Sequence, residues 1–173
     1  MHVVKVVLIA YIGFLILAAA ACGSNSPELP LLDAIEQENV GVVQEHIDFG
    51  TDINDSFVPL GMPFAGASSL HLAVLKNNAE ITRMLLDGGA HIEIRSKDPT
   101  NATPLAWAAY WGIREMTRLL VESGAEINSK DAFGSTVLDA ASADNPFIPP
   151  VFQREFYESR AFIMEYSLNK GAN

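Results

Sequence analysis

Four glycines, each closing an apolar helical run, constrain this chain more than any other feature. They stand in DFGTDIN (Gly50), DGGAHIE (Gly89), ESGAEIN (Gly124) and NKGAN (Gly171), at spacings of 39, 35 and 47 residues. The runs before them, VVQEHI, ITRMLL, MTRLLV and FIMEYSL, carry apolar residues at helical spacing. Glycine fits the left-handed position that ends a helix. A second short helix start lies upstream of each run: PLLDAI, SSLHLAV, TPLAWAA and STVLDAA. In TPL the threonine can cap the helix, and proline suits its first turn. The unit is therefore helix, tight turn, helix, glycine-ended loop and extended finger, repeated. Such units bury their apolar faces against one another rather than alone.

Two of the units, SSLHLAV…AEITRMLLDGGAHIE and TPLAWAAYWGIREMTRLLVESGAEIN, resemble ankyrin repeats. That family has a period of about 33 residues and a T-P-L-H-x-A signature. The resemblance implies an all-α solenoid of four helix-turn-helix repeats with β-hairpin-like fingers over residues 30–173. The repeats fall at approximately 30–54, 67–93, 102–128 and 135–173. The first and fourth depart most from the signature, as terminal caps do. Glu36, Gln37, Glu38, Gln44 and Glu45 in the first are polar, which suits a face turned to water.

The first 22 residues, MHVVKVVLIAYIGFLILAAAAC, have a basic start, an apolar centre and a small-residue end. That layout predicts an export signal. The alternative is a membrane anchor, and the 17-residue run Val6–Cys22 lies at the short end for spanning. Cys22 is the single cysteine, so it has no disulfide partner within the chain. Ala20, Ala21 and Cys22 resemble the lipobox of bacterial lipoproteins, although Ala19 stands where that family has leucine. The resemblance implies lipid on Cys22, with Gly23 in place of aspartate pointing to the outer membrane and a periplasm-facing domain. Plain cleavage, giving a soluble periplasmic or secreted protein, is the alternative. Residues 23–29 form a short tether, spanning about 15 Å as a flexible coil. Removing residues 1–22 takes away Lys5 and no acid, leaving 10 basic and 21 acidic residues, a net charge of −11. This excludes nucleic acid as a partner and favours a protein with a basic face, or serves solubility alone.

The spacings exceed the family period in three places. The first excess is the finger DSFVPLGMPFAG, Asp55 to Gly66, apolar and rich in proline and glycine. It is either a binding surface or a lid folded over the first repeat. The second is the finger RSKDPTNA. The third, SADNPFIPPVFQREFYES, runs from Ser142 to Ser159 between the last two helices, and is expected to cover the open end of the stack.

In ankyrin repeats the two residues after the paired alanines point into the concave groove. Carried over here, they are Tyr110 and Trp111 after Ala108 and Ala109, and Leu75 and Lys76 one repeat earlier. The finger KDAFGST adds Phe133, expected to lie close to Tyr110 and Trp111. Trp107 takes a position usually held by leucine and is expected in the core. Tyr and Trp offer large rigid contact area and are enriched at binding hot spots. Phe57 and Phe64 of the first insertion complete the candidate partner-binding set, with Cys22 as the lipid attachment site.

Signs of catalysis are absent from the sequence. It contains no H-E-x-x-H, C-x-x-C, G-x-S-x-G or phosphate-binding glycine loop. His71 matches the signature histidine, which hydrogen-bonds between neighbouring repeats. His46 and His91 have no spaced partner. DFGTDINDS lacks the pattern of a calcium loop, and aligns with the end of a repeat. No catalytic residue, metal, cofactor or small-molecule substrate is expected. The chain reads as a protein-binding module of the bacterial envelope. Its resemblance to known exported ankyrin proteins implies an immunity protein against a secreted toxic effector, or else a scaffold or accessory for a resident envelope enzyme, for example in peroxide defence.

Overall fold

The computed structural model describes residues 26–172, so the expectations for residues 1–22 and Cys22 lie outside the described residues. Helices α1 (Leu31–Glu36), α3 (Ser69–Leu75), α5 (Pro104–Tyr110) and α7 (Val137–Ser142) form an inner row, each packed on the next. Helices α2 (Val40–Phe49), α4 (Ala79–Asp87), α6 (Arg114–Glu122) and α8 (Gln153–Asn169) form the outer row in the same order. The fold is the expected all-α solenoid.

Local chemistry sets the helix ends. Thr103 accepts a hydrogen bond from Ala106 N–H and Pro104 takes the first turn of α5. Ser68 with His71, and Thr136 with Asp139, close reciprocal capping boxes on α3 and α7. The four repeat glycines, Gly50, Gly89, Gly124 and Gly171, all take positive φ, between 81° and 100°. Each outer helix then buries one stripe. In α6, Met116, Thr117, Leu119 and Leu120 are buried while Arg114, Glu115, Arg118 and Glu122 face solvent. The core consists of two adjoining clusters. One joins Ile35, Val43, Leu70, Ile81 and Leu85; the other joins Val74, Leu105, Met116, Leu120 and Ile163. Leu86 packs against both. The polar residues of the first repeat, Glu36, Gln37, Glu38, Gln44 and Glu45, are exposed.

Directional bonds fix the register between repeats. His71 is fully buried, and its Nε2–H donates to the Ala102 carbonyl at 3.1 Å, 31 residues on. Its Nδ1 therefore accepts from Ser68 at 2.8 Å. His46 is also buried rather than isolated, donating from Nε2 to the Leu29 carbonyl at 2.8 Å with Nδ1 2.9 Å from Thr51 Oγ1. At the glycine-ended loops, Asn54 donates to the Gly89 carbonyl (3.1 Å) and accepts from His91 N–H (2.8 Å). Asn128 donates to the Gly171 carbonyl at 2.9 Å. Between them Glu93 holds the equivalent place and accepts from Glu126 N–H at 2.8 Å. A carboxylate has no hydrogen to donate, and Glu93 Oε2 is buried without a partner.

The fingers are hairpin-like, as expected, with one antiparallel bridge between Phe57 and Ser68 and no longer ladder among the described residues. They are tied side by side: Lys97 N–H donates to the Gly66 carbonyl and Ala132 N–H to the Thr100 carbonyl, both at 2.8 Å. The last insertion divides. Residues 153–159 are helical and lengthen α8 to 17 residues, with Phe156, Ser159 and Arg160 buried against the stack. Arg160 donates from Nη2 to the Ala140 carbonyl at 2.8 Å and stacks on Phe156. The loop half keeps Phe147 and Val151 72% and 81% exposed, so only the helical half caps the end.

Two outcomes test this register. Glu93→Asn restores a donor at the middle loop and is expected to raise stability by about 1 kcal/mol, read by urea unfolding. Burial lowers the His71 pKa from 6.5 to about 4, so the folded protein keeps this ring neutral. As pH falls from about 6.5 to about 4 the unfolded chain takes up a proton that the folded one refuses. Stability should fall across that window by up to about 3 kcal/mol. His71→Gln should flatten this part of the pH profile, whatever its effect at pH 7.

Candidate functional site: an aromatic cavity between inner helices and fingers

Helical spacing, rather than the family position, decides where the aromatics of α5 go. Trp107, Tyr110 and Trp111 are separated by three and four residues and so share one face of the helix. That face opens toward the fingers. The expectation that Trp107 lies in the core is corrected. It is half-buried and lines a cavity of about 730 Å³ together with Tyr110 and Trp111. The helix-packing positions beside it belong to Leu105, Ala108 and Ala109, at most 1% exposed, which leave no room for an indole. Trp107 instead stands edge-on to His71, with ring centroids 4.9 Å apart.

Trp111 is the hub of the site. Phe64 of the first insertion meets it edge-on at 5.8 Å, Tyr110 at 5.6 Å, and Phe147 of the last insertion lies tilted over it at 6.3 Å. The two insertions, far apart in sequence, thus converge on one indole. Phe64 does so with φ of 59°, a left-handed conformation that bulky side chains rarely adopt. The first insertion is not a lid on the first repeat. Val58 packs on the N-terminal core, but Leu60 and Met62 stay 89% and 59% exposed and Phe64 reaches forward to the third repeat.

Asp98, Asp131 and Asp139 also line the cavity. Each carboxylate uses one oxygen to organise a turn. Asp98 Oδ1 accepts from the Thr100 and Asn101 N–H groups, Asp131 Oδ1 from Phe133 and Ser135 N–H at 2.8 Å, and Asp139 Oδ2 from Thr136 N–H at 2.8 Å. The bonds from the Thr136 backbone and side chain hold the Asp139 carboxyl below its usual range.

The remaining candidate residues lie elsewhere. The Asp131 turn, completed by Gly134 at φ 83°, sends Phe133 outward to 73% exposure, and it does not line the cavity. Phe57 is half-buried beneath Lys97 Nζ, 3.7 Å from the ring centroid. Leu75 lines a separate, more polar depression with Ile113 and Phe162. Lys76 reaches back to Glu36 at 3.6 Å, in the first repeat. The structure therefore unites Tyr110, Trp111 and Phe64, and separates them from Phe57, Phe133, Leu75 and Lys76. The family position hid Trp107, and no motif in the sequence singles out the three carboxylates.

Helix pairs stacked in two rows behind side-by-side fingers define an ankyrin-repeat protein, and this chain belongs to that family. The family model for ankyrin repeats matches in three copies over residues 31–131. Among curated proteins the chain is similar to protein phosphatase 1 regulatory subunit 12A of Mus musculus, 34% identical over 46% of this chain and 8% of that protein. Protein PhlB of Serratia liquefaciens is 35% identical over 65% of this chain and 46% of that protein. The E3 ubiquitin-protein ligase KEG of Arabidopsis thaliana is 35% identical over 44% and 5%. The chain spans less than half the length of each of these relatives. Its repeats make it a protein–protein binding module.

The approach of the two fingers shapes the cavity. A Cβ on Gly66, whose φ is 85°, would stand 2.6 Å from Asp98 N and Lys97 C. Gly66→Ala is expected to part the fingers and withdraw Phe64 from Trp111. The expected readouts are a stability loss of about 2–4 kcal/mol and a red-shifted tryptophan emission in the protein that remains folded.

Proposed function

We propose that this chain is a non-enzymatic binding module of the bacterial envelope, acting as an immunity protein that blocks a secreted toxic effector. In this reading the first 22 residues act as an export signal, and lipid on Cys22 holds the chain at the outer membrane, facing the periplasm. The observation that carries the binding mode is the aromatic cavity around Trp111, lined in part by the exposed Phe147, with Leu60, Met62 and Val151 of the two insertions exposed as well. Apolar surface collected around a concave site marks a place of association. The net charge of −10 favours a partner with a basic face and speeds encounter with it. Likeness to a Serratia protein over 65% of the chain supports a bacterial setting. Binding, not turnover, is the mechanism: the solenoid occludes the effector by steric and electrostatic complementarity.

A cross-linked pull-down from envelope extract tests this reading, with wild type beside the Tyr110→Ala, Trp111→Ala double variant. Both should keep the helical circular dichroism of the repeats. The double variant is expected to lose a secreted toxin that the wild type captures, because hot-spot aromatics contribute about 2–4 kcal/mol each. Deleting the gene should leave cells open to killing by their siblings. A resident envelope enzyme in the pull-down, with a peroxide-sensitive deletion strain, would replace immunity with an accessory role. A partner held equally by both forms would move the site to the Phe57–Phe64 finger or the last insertion.

A further inference from the structure

We propose that the cavity receives a cationic side chain, arginine or lysine, projecting from the partner protein. This rests on the reading of the cavity as the partner-binding site and names the chemistry that enters it. The cavity lining is of two unlike kinds. Phe64, Trp107, Tyr110, Trp111 and Phe147 supply ring faces and edges. Asp98 and Asp131 of the fingers and Asp139 at the start of α7 supply negative charge.

A purely apolar ligand would satisfy the rings but withdraw water from the half-buried Asp98 and Asp131 without supplying a counter-charge, which is costly. A cation satisfies both, because it is attracted to aromatic faces and pairs with carboxylates. The carboxylates are available for it. Asp98 and Asp131 commit Oδ1 to their turns and Asp139 commits Oδ2; the other oxygen of each carries no hydrogen bond among the described residues. Among the described residues, no basic side chain lines the cavity. The basic groups nearby are engaged outside it: Arg95 with Ser129 Oγ and the Lys130 carbonyl, Lys97 with Asp55 and Phe57, Arg160 with the Ala140 carbonyl beneath Phe156. Lys130 lies within electrostatic reach of Asp139 and lowers the local field without entering the cavity. A volume of about 730 Å³ admits more than one side chain, so residues flanking the cation can cover the apolar part of the lining. That size points to a protein segment over a small free cation.

Both tryptophans of the chain line the cavity, so their two indole N–H signals in proton–nitrogen NMR report directly on occupancy. The probes are the acetylated, amidated pentapeptide Ala-Leu-Arg-Leu-Ala, its lysine form and its citrulline form, which keeps the shape of arginine and removes the charge. The arginine and lysine peptides should shift both indoles saturably, and citrulline should weaken binding about tenfold or more. The Asp131→Asn, Asp139→Asn double variant keeps the acceptors that hold the turns, and is expected to bring the arginine peptide down to the citrulline level. Trp107→Leu should weaken all the peptides. Equal response to the arginine and citrulline peptides would overturn the proposal. So would indifference of both indoles to every probe, or tetramethylammonium binding as tightly as the peptides, which would make this a small-molecule site. If a partner is captured through Tyr110 and Trp111 while the indoles ignore charge, the proposal falls and the binding-module reading stands. If the arginine peptide binds as expected while capture does not depend on those aromatics, the reading falls in turn.

Discussion

Each helix pair hands its open apolar face to the next, and everything else in the structure depends on that hand-over. Ile35, Leu70 and Leu105 of successive inner helices are all at most 1% exposed, yet none is buried by its own pair alone. Apolar contact of this kind is strong but non-directional, so it would tolerate a slip. Register comes from the polar links that cross the repeats. The His71 bond to the Ala102 carbonyl and the bonds made by Asn54 and Asn128 each span 31 to 43 residues and have one geometry. The Asn54 and Asn128 bonds lie at exposed loops, whereas the His71 bond is buried, where a mispaired donor costs about 1–3 kcal/mol. The same burial keeps His71 neutral, because solvation that would favour its charged form is withdrawn.

The cavity is built on this frame and contributes little to it. Aromatic pairs such as those Trp111 makes with Phe64, Tyr110 and Phe147 add about 0.5–1.5 kcal/mol each beyond the area they bury. That is small beside the clusters around Leu70 and Leu120. The clasp therefore shapes a surface rather than holding the fold. Its cost is visible in Phe64, which adopts a left-handed backbone to reach the indole, and in the apolar residues of the two insertions left in water, Leu60, Met62 and Phe147 among them. A net charge of −10 offsets the second cost by keeping copies of the chain apart.

The repeat architecture was legible because its signals are local. Glycine-ended helices, Thr103 before Pro104, and apolar stripes such as that of α6 are set by neighbours in sequence. The site was legible only in part. Tyr110 and Trp111 were found through the family position of the paired alanines, but the same rule sent Trp107 to the core. A rule that treats leucine and tryptophan alike ignores volume: beside Ala108 and Ala109, both fully buried, there is space for one and not the other. Convergence of Phe64 and Phe147 on Trp111 joins residues 83 positions apart, and no local pattern encodes it. Phe133 stays outside the cavity for a local reason instead: the Asp131 turn leaves its ring 73% exposed.

That turn bears on why the acids are where they are. Asp131 organises a tight finger tip, Asp98 another, and Asp139 a helix start. Asparagine forms such side-chain-to-backbone turns without bringing a charge, and this chain uses it so at Asn39 and Asn78. At Asp98 and Asp131 stability of the turns therefore does not explain the choice of aspartate, whereas Asp139 in the first turn of α7 is also favoured by the helix N-terminus. Charges on these residues act on whatever enters the cavity, and those of the half-buried Asp98 and Asp131 are screened less than that of the exposed Asp139. The local chemistry that folds the fingers thus also sets the electrostatic character of the site between them and α5.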